Sequence, residues 1–166
     1  MTKQTLVEEQ PLLRDCIREA FRAGTLAALA MVPFGLLFYA LGLRVNEYGM
    51  AVIQTFFGDL PDAVRFLLFV VEHFIISWTV AVPLLCALLW LKGRVPGIWL
   101  GILYGVGFYI IMNSLLLPIL FNDPTPWSLG FEVIYPSLIV HLIYGLVIWW
   151  VSRGFVEQHT LTLSQA

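Results

Sequence analysis

Charged residues are scarce in this chain. They make up 12% of its 166 residues, whereas soluble domains contain about 25%. Its two cysteines, Cys16 and Cys86, lie far apart, which excludes a disulfide framework and a CxxC metal motif. The chain also lacks GxGxxG, Walker, HExxH and nucleophile-elbow motifs, which argues against a conventional ATPase, dehydrogenase or metalloprotease. The net charge of -2 gives no indication of a nucleic-acid partner.

Apolar residues, in contrast, are abundant: 60% of the chain is hydrophobic, and its mean hydropathy is +0.86. A helix crosses the roughly 30 Å hydrocarbon core with about 20 apolar residues, because lipid offers no partner for exposed backbone polar groups. Four stretches meet this length, at residues 24–43, 64–91, 97–120 and 131–151. The sequence therefore predicts an all-α, polytopic membrane protein with a bundle of four transmembrane helices in residues 24–153.

The segments outside these spans are short. Residues 1–23 are polar and predict a cytoplasmic amphipathic segment, and residues 154–166 predict a cytoplasmic tail. The first outer loop has apolar residues at helical spacing, which predict a short helix in the outer membrane interface; these residues are Tyr48, Val52, Ile53, Phe56 and Phe57. The loop FNDPTPWSLG between spans three and four is rich in turn residues, and we expect it to cap the bundle.

The distribution of lysine and arginine predicts the orientation, because cytoplasmic loops retain positive charge. Seven of these residues fall on one side: Lys3, Arg14, Arg18, Arg22, Lys92, Arg94 and Arg153. Two, Arg44 and Arg65, fall on the other side. Tryptophans gather near the same predicted inner interface, namely Trp90, Trp99, Trp149 and Trp150. We therefore expect both termini to be cytoplasmic.

Two histidines lie inside predicted spans, His73 in span two and His141 in span four. Both spans run from the outer to the inner side, and at 1.5 Å per residue each histidine lies about 13 to 15 Å below the outer end. A polar ring at that depth is costly unless it finds a partner, a ligand or water, so intramembrane histidines are functional-site hypotheses. Their matched depth predicts a shared site.

Other polar residues fall near the same level. Asn113 of span three is predicted slightly above the histidines. Ser77 lies one turn below His73, and Ser137 lies one turn above His141, each on its histidine's helix face. Two interpretations stay open for this polar cluster. Its members either hydrogen-bond the helices together, at about 0.6 kcal/mol each on average, or form a binding or sensing site.

Glu72 adjoins His73 but points about 100° away from it around the helix, so it does not share the same face. It lines a neighbouring cavity, pairs with Arg65, or stays protonated inside the bundle. A carboxyl group and an imidazole held together can exchange a proton near neutral pH, which would give Glu72 and His73 a functional role. In an ion pair or a neutral hydrogen bond, Glu72 would have a structural role instead.

Span three contains a GxxxGxxxG run formed by Gly97, Gly101 and Gly105. Small residues spaced by four let helix backbones approach closely in a membrane. The run predicts a packing surface, either inside the chain's own bundle or against a second copy in a homo-oligomer. We favour the contact inside the bundle.

Spans two to four resemble the YagU-like family of bacterial inner-membrane proteins over roughly residues 64–153. The matching features are EHFIIS, VPGIWLG, MNSLLLP, the outer loop DPTPW, and SLIVHLIYGLVIW. The resemblance implies a multi-pass protein of the bacterial inner membrane, linked to acid tolerance, with His73 and His141 at the family's histidine positions. Asn113 departs from the family pattern, which has a histidine there, and asparagine is a poorer ligand than imidazole for zinc or haem iron.

Three functional hypotheses follow. In the first, an outward-facing polar cavity with His73, His141 and Asn113 binds a small solute or responds to external pH, since histidine changes charge between about pH 5 and 8. In the second, the chain is a small accessory subunit of a larger membrane complex. In the third, the two histidines ligate one haem b in a redox subunit, and a divalent metal at the cluster is a related alternative.

Overall fold

The computed structural model describes residues 3–43, 45, 48–91 and 94–163, and every regular element in this part is helical. The elements are α1 (Lys3–Ala40), α2 (Tyr48–Phe57), α3 (Asp62–Trp90), α4 (Gly97–Phe108), a π-helix (Tyr109–Leu116), α5 (Leu117–Phe121), α6 (Pro126–Leu129) and α7 (Phe131–Leu163). The predicted all-α fold is therefore confirmed. Arg44 and Lys92, which contributed to the predicted orientation, lie outside the described residues.

Four helical stretches are long and apolar enough to cross a membrane: Leu13–Ala40, Asp62–Trp90, Gly97–Phe121 and Phe131–His159. The chain is thus a multi-pass membrane protein with a four-helix bundle. Both terminal spans continue as helix beyond the predicted limits, since α1 begins at Lys3 and α7 ends at Leu163. The extension of α7 is packed, because Ser152 and Val156 are buried.

The helix α7 lies at the centre of the bundle. It contacts α1, α3 and α4, and 44% of its most apolar window is buried, against 17–28% in the other three spans. We call the end of the bundle with the turn between α3 and α4 the predicted inner end. The opposite end, which carries α2 and α6, is the predicted outer end.

The apolar core lies toward the predicted inner end, where α1, α3 and α7 meet. Small side chains of α1 let the other two helices approach it, and leucines of α3 fill the space between them. Its buried members include Ala20, Ala23, Ala27, Leu84, Leu85, Leu88, Tyr144 and Ile148.

The glycine run of span three packs against α7 of the same chain. A Cβ atom added to Gly101 would lie 2.8 Å from the carbonyl oxygen of Gly145, and one added to Gly105 would collide with the carbonyl oxygen of His141. One added to Gly97 would lie 2.5 Å from the indole Nε1 of Trp149. The three glycines therefore form a close α4–α7 contact inside the bundle. This contact extends along α4 to the level of His141.

Candidate functional site: a polar cluster around His141

The helix that follows the glycine run changes to π-helical geometry at Tyr109 and keeps it to Leu116. Tyr109, Asn113 and Ser114 are the buried residues of this segment. Because π-helical turns are wider than α-helical turns, residues four and five positions apart share one face, and such segments are frequent at functional sites. The π-helix thereby presents an amide and two hydroxyl groups to the bundle interior.

His141 uses both of its ring nitrogens in hydrogen bonds. Its Nδ1 lies 2.6 Å from the carbonyl oxygen of Ser137, and its Nε2 lies 2.9 Å from Nδ2 of Asn113. A carbonyl oxygen only accepts, so Nδ1 is the protonated nitrogen and donates to Ser137, while Nε2 accepts from the Asn113 amide. These contacts hold His141 as the neutral Nδ1–H tautomer.

Aromatic rings and a close helix contact surround His141. Phe108 stacks on its ring with a centroid distance of 5.6 Å, and Tyr109 approaches it at 5.9 Å. The backbone of His141 is in close contact with Gly105 of α4, where a side chain would collide with its carbonyl oxygen. The imidazole is therefore held in a tightly packed site next to its amide partner.

His73 lies at the same level of the bundle as His141. It is 11 residues into α3, whereas His141 is 10 residues into α7, which places them about 17 and 15 Å below the outer ends of their helices. The two rings are close enough to interact electrostatically, and the backbone of Ala28 in α1 hydrogen-bonds His73. Asn113, rather than His73, is the hydrogen-bond partner of His141.

Ser77 links helices but does not join the pair formed by His141 and Asn113. Its hydroxyl group donates to the carbonyl oxygen of Gly24 in α1 at 2.8 Å, and its own carbonyl oxygen accepts from the Tyr144 hydroxyl of α7 at 2.6 Å. Three spans are therefore joined at this one residue, one turn below His73.

Ser137 and Glu72 take positions that the sequence left open. Ser137 is fully buried, and its carbonyl oxygen is the group that binds His141. The carboxylate of Glu72 lies against Gly49 of α2, away from His141. Arg65 forms its ion pair with Asp62 rather than with Glu72.

The predicted polar cluster did not include two buried hydroxyl groups of the π-helix, those of Tyr109 and Ser114. Both are buried and have no hydrogen-bond partner within the part of the chain that the structure describes. The outer loop covers this region, since Trp127 of α6 contacts the ring of Tyr109 edge-on at 6.4 Å. Tyr109 lies four residues before Asn113, and residues four apart are neighbours on a helix, so this spacing could have identified Tyr109 as a candidate site residue.

The cluster does not fit a metal or haem centre. Among the described residues, no group of three His, Cys, Asp or Glu side chains could hold a metal ion. Ligation of haem by two histidines needs a ring nitrogen of each that is free to face the iron. In His141 one nitrogen binds Ser137, and the other binds Asn113. Haem ligation through Nε2 of His141 would have to break the hydrogen bond to Asn113.

No protein-family model matches the chain, and no curated protein or solved structure matches it significantly. The resemblance to the YagU-like proteins therefore stays a prediction.

Proposed function

We propose that this membrane protein responds to acidification through protonation of His141. The observation that carries the proposal is the hydrogen bond from Nδ2 of Asn113 to Nε2 of His141 at 2.9 Å. Nδ1 already carries a proton, so a second proton enters at Nε2, where the amide N–H points. Two donors would then face each other, and the Asn113 amide has to turn its oxygen inward or move away.

The surroundings of His141 offer an imidazolium no counter-ion among the described residues. The titratable groups near it are His73 of α3, which would add a like charge, and Tyr109 of the π-helix. Helix α1 contributes the backbone of Ala28 beside His73, and the carboxylate of Glu72 faces α2 instead. A charge buried without a partner is costly, so protonation favours separation of the helices around the cluster.

Thermal unfolding of the purified chain in lipid nanodiscs tests this proposal. The melting temperature of the wild type is expected to be highest near pH 8 and to fall as the pH drops through the range in which histidines protonate, since the neutral form of His141 is the one that fits. His141→Gln places at this position an amide, which forms hydrogen bonds but does not titrate. Most of the acid-dependent decrease should be absent in this variant.

His159→Gln is the matched control, because His159 lies far along α7 and its ring nitrogen is 3.8 Å from a carboxylate oxygen of Asp15. Because His159 contacts neither His141 nor Asn113, this substitution should leave the acid-dependent decrease intact. An equal decrease in the wild type and His141→Gln would overturn the proposal.

The unpartnered hydroxyl groups of Tyr109 and Ser114 favour a second candidate function, the binding of a small polar solute beside His141. Buried hydroxyl groups normally have hydrogen-bond partners, which a water molecule or a small solute would supply. Equilibrium binding of labelled glycerol and urea to the purified chain tests this candidate. Tyr109→Phe should reduce binding, while Tyr39→Phe, at a side chain that is 82% exposed, should not.

We also infer that the chain is a YagU-like protein of the bacterial inner membrane with both termini in the cytoplasm. The excess of lysine and arginine toward one side of the sequence supports this orientation, and the exposed rings of Trp90, Trp99 and Trp150 lie near that end of the bundle. Reporter fusions at the C-terminus test it: a fluorescent protein that folds only in the cytoplasm should be active there, and a periplasmic phosphatase should not.

The accessory-subunit hypothesis makes a different prediction. A subunit of a larger complex would leave the membrane in mild detergent as one large particle with other chains. The acid response of His141 needs this chain alone and is measured on the purified chain in nanodiscs. The accessory role needs other chains and is measured by extraction from the membrane.

A further inference from the structure

A cavity of about 390 Å³ opens at the predicted inner end, far from the histidine cluster. It lies between the turn that joins α3 to α4, the first turn of α4 and the part of α7 that follows Trp149. Leu88, Leu100 and Val156 form apolar walls, while Arg94, Arg153 and Glu157 bring charge to it. The cavity thus combines a polar mouth with a hydrophobic wall.

The charge of the lining favours an anion. Among the described residues, two arginines and one glutamate line the cavity, and together they carry a formal charge of +1, from 2 - 1. Arg94 and Arg153 are exposed, and neither forms an ion pair with another residue that the structure describes. The Arg153 guanidinium lies over the ring of Trp150, 5.8 Å from its centroid. Arginine presents several N–H groups in a planar fork that matches a phosphate group.

Further donors lie at the floor of the cavity. Helix α4 begins there at Gly97, and the first N–H groups of a helix have no acceptor within the helix, so they favour an anion. The indole of Trp149 crosses this turn, and a Cβ atom on Gly97 would lie 2.5 Å from its Nε1. Glycine at this position therefore lets an indole N–H lie beside the N-terminal backbone of α4.

The position of the cavity along the bundle indicates a lipid rather than a free anion. Trp90, Trp99 and Trp150 are exposed near the same end of the bundle, and exposed tryptophans mark the level of the lipid headgroups. Leu88 of α3 and Leu100 of α4 line the cavity on its apolar side, and Ile98 and Leu103 of α4 are exposed. A phosphate group bound at the arginines would therefore leave its apolar chains beside an apolar helix surface.

We propose that this cavity binds the phosphodiester headgroup of an anionic phospholipid, with Arg94 and Arg153 as the cationic ligands and the start of α4 as a further donor. Basic pockets between transmembrane helices are suited to such headgroups. This proposal does not depend on the acid response of His141.

Native mass spectrometry of the purified full-length chain measures this binding. The chain is titrated in detergent with phosphatidylglycerol and, separately, with phosphatidylcholine, and the lipid-bound fractions are compared. Arg94→Gln and Arg153→Gln should each weaken phosphatidylglycerol binding about fivefold, as expected for one cation near a lipid surface. Glu157→Gln should strengthen it. Both arginines are exposed, so their variants are expected to fold, and circular dichroism melting checks this.

Arg14→Gln is the matched control, since this side chain is 83% exposed and does not line the cavity. It should leave phosphatidylglycerol binding unchanged. An equal decrease in all three arginine variants would show a general effect of charge and overturn the site. Equal binding of the two lipids would overturn the requirement for an anionic headgroup. Displacement of the lipid by an equal concentration of inorganic phosphate would assign the cavity to a free anion instead.

Discussion

The apolar core and the polar cluster of this bundle join their helices by different interactions. Toward the predicted inner end, alanines of α1 and leucines of α3 pack without hydrogen bonds between their side chains, as Ala23 and Leu84 illustrate. Toward the predicted outer end, His141 and Asn113 join α7 to the π-helix by a directional hydrogen bond. Apolar packing does not change with pH, whereas the imidazole bond requires one protonation state. The comparison teaches that one bundle can place apolar packing that is independent of pH beside a hydrogen bond that depends on protonation.

The largest expected effect comes from the close α4–α7 contact, because it connects both regions. Gly105→Leu places a side chain against the carbonyl oxygen of His141, where even a Cβ atom would collide. Overpacking of this kind should lower the free energy of unfolding by about 3 kcal/mol. Gly107→Leu is the control, since nothing lies within 4 Å of a Cβ atom there. Unfolding by sodium dodecyl sulfate measures both, and equal stability of the two variants would contradict the close contact.

The next effect concerns the apolar core alone. Leu84 is 1% exposed in the core, so Leu84→Ala leaves a cavity. We expect a loss of about 2 kcal/mol, at the low end for such substitutions because lipid supplies no hydrophobic driving force between helices. Leu103→Ala, at a side chain that is 63% exposed, should change the stability little. The loss at Leu84 should be the same at pH 8 and pH 5.5, and a pH-dependent loss would break the proposed distinction between the two regions.

The spans could be predicted from the sequence because hydrocarbon imposes a length and a composition on any helix that crosses it. The common level of His73 and His141 followed from counting residues along those helices. The π-helix from Tyr109 to Leu116 could not be predicted, because its hydrogen bonds depend on how the segment packs against its neighbours. For the same reason the sequence did not show that the carbonyl oxygen of Ser137, rather than its hydroxyl group, binds His141.

Substitution of Asn113 tests the polar cluster directly. Asn113→Leu removes the donor to Nε2 of His141 and should cost about 1 kcal/mol at pH 8, within the range measured for hydrogen bonds between membrane helices. Asn113→Asp instead places a carboxylate beside the imidazole, so the protonated ring gains a counter-ion. Stability of this variant should fall less between pH 8 and pH 5.5 than that of the wild type. If Asn113→Asp and the wild type were equally sensitive to acid, the acid response would not depend on the contact between His141 and residue 113.

The smallest expected effect is at Ser77, which joins α3 to α1 through a bond that does not titrate. Ser77→Ala removes the hydrogen bond to the carbonyl oxygen of Gly24 and should cost about 0.6 kcal/mol. Ser128→Ala, at an exposed serine of the outer loop, is the control. Because neither partner of the Ser77 bond changes charge, its loss should be equal at pH 8 and pH 5.5, although Ser77 lies only one turn below His73. A pH-dependent loss at Ser77 would mean that the acid response extends through the polar contacts of the bundle rather than residing in the imidazole–amide pair.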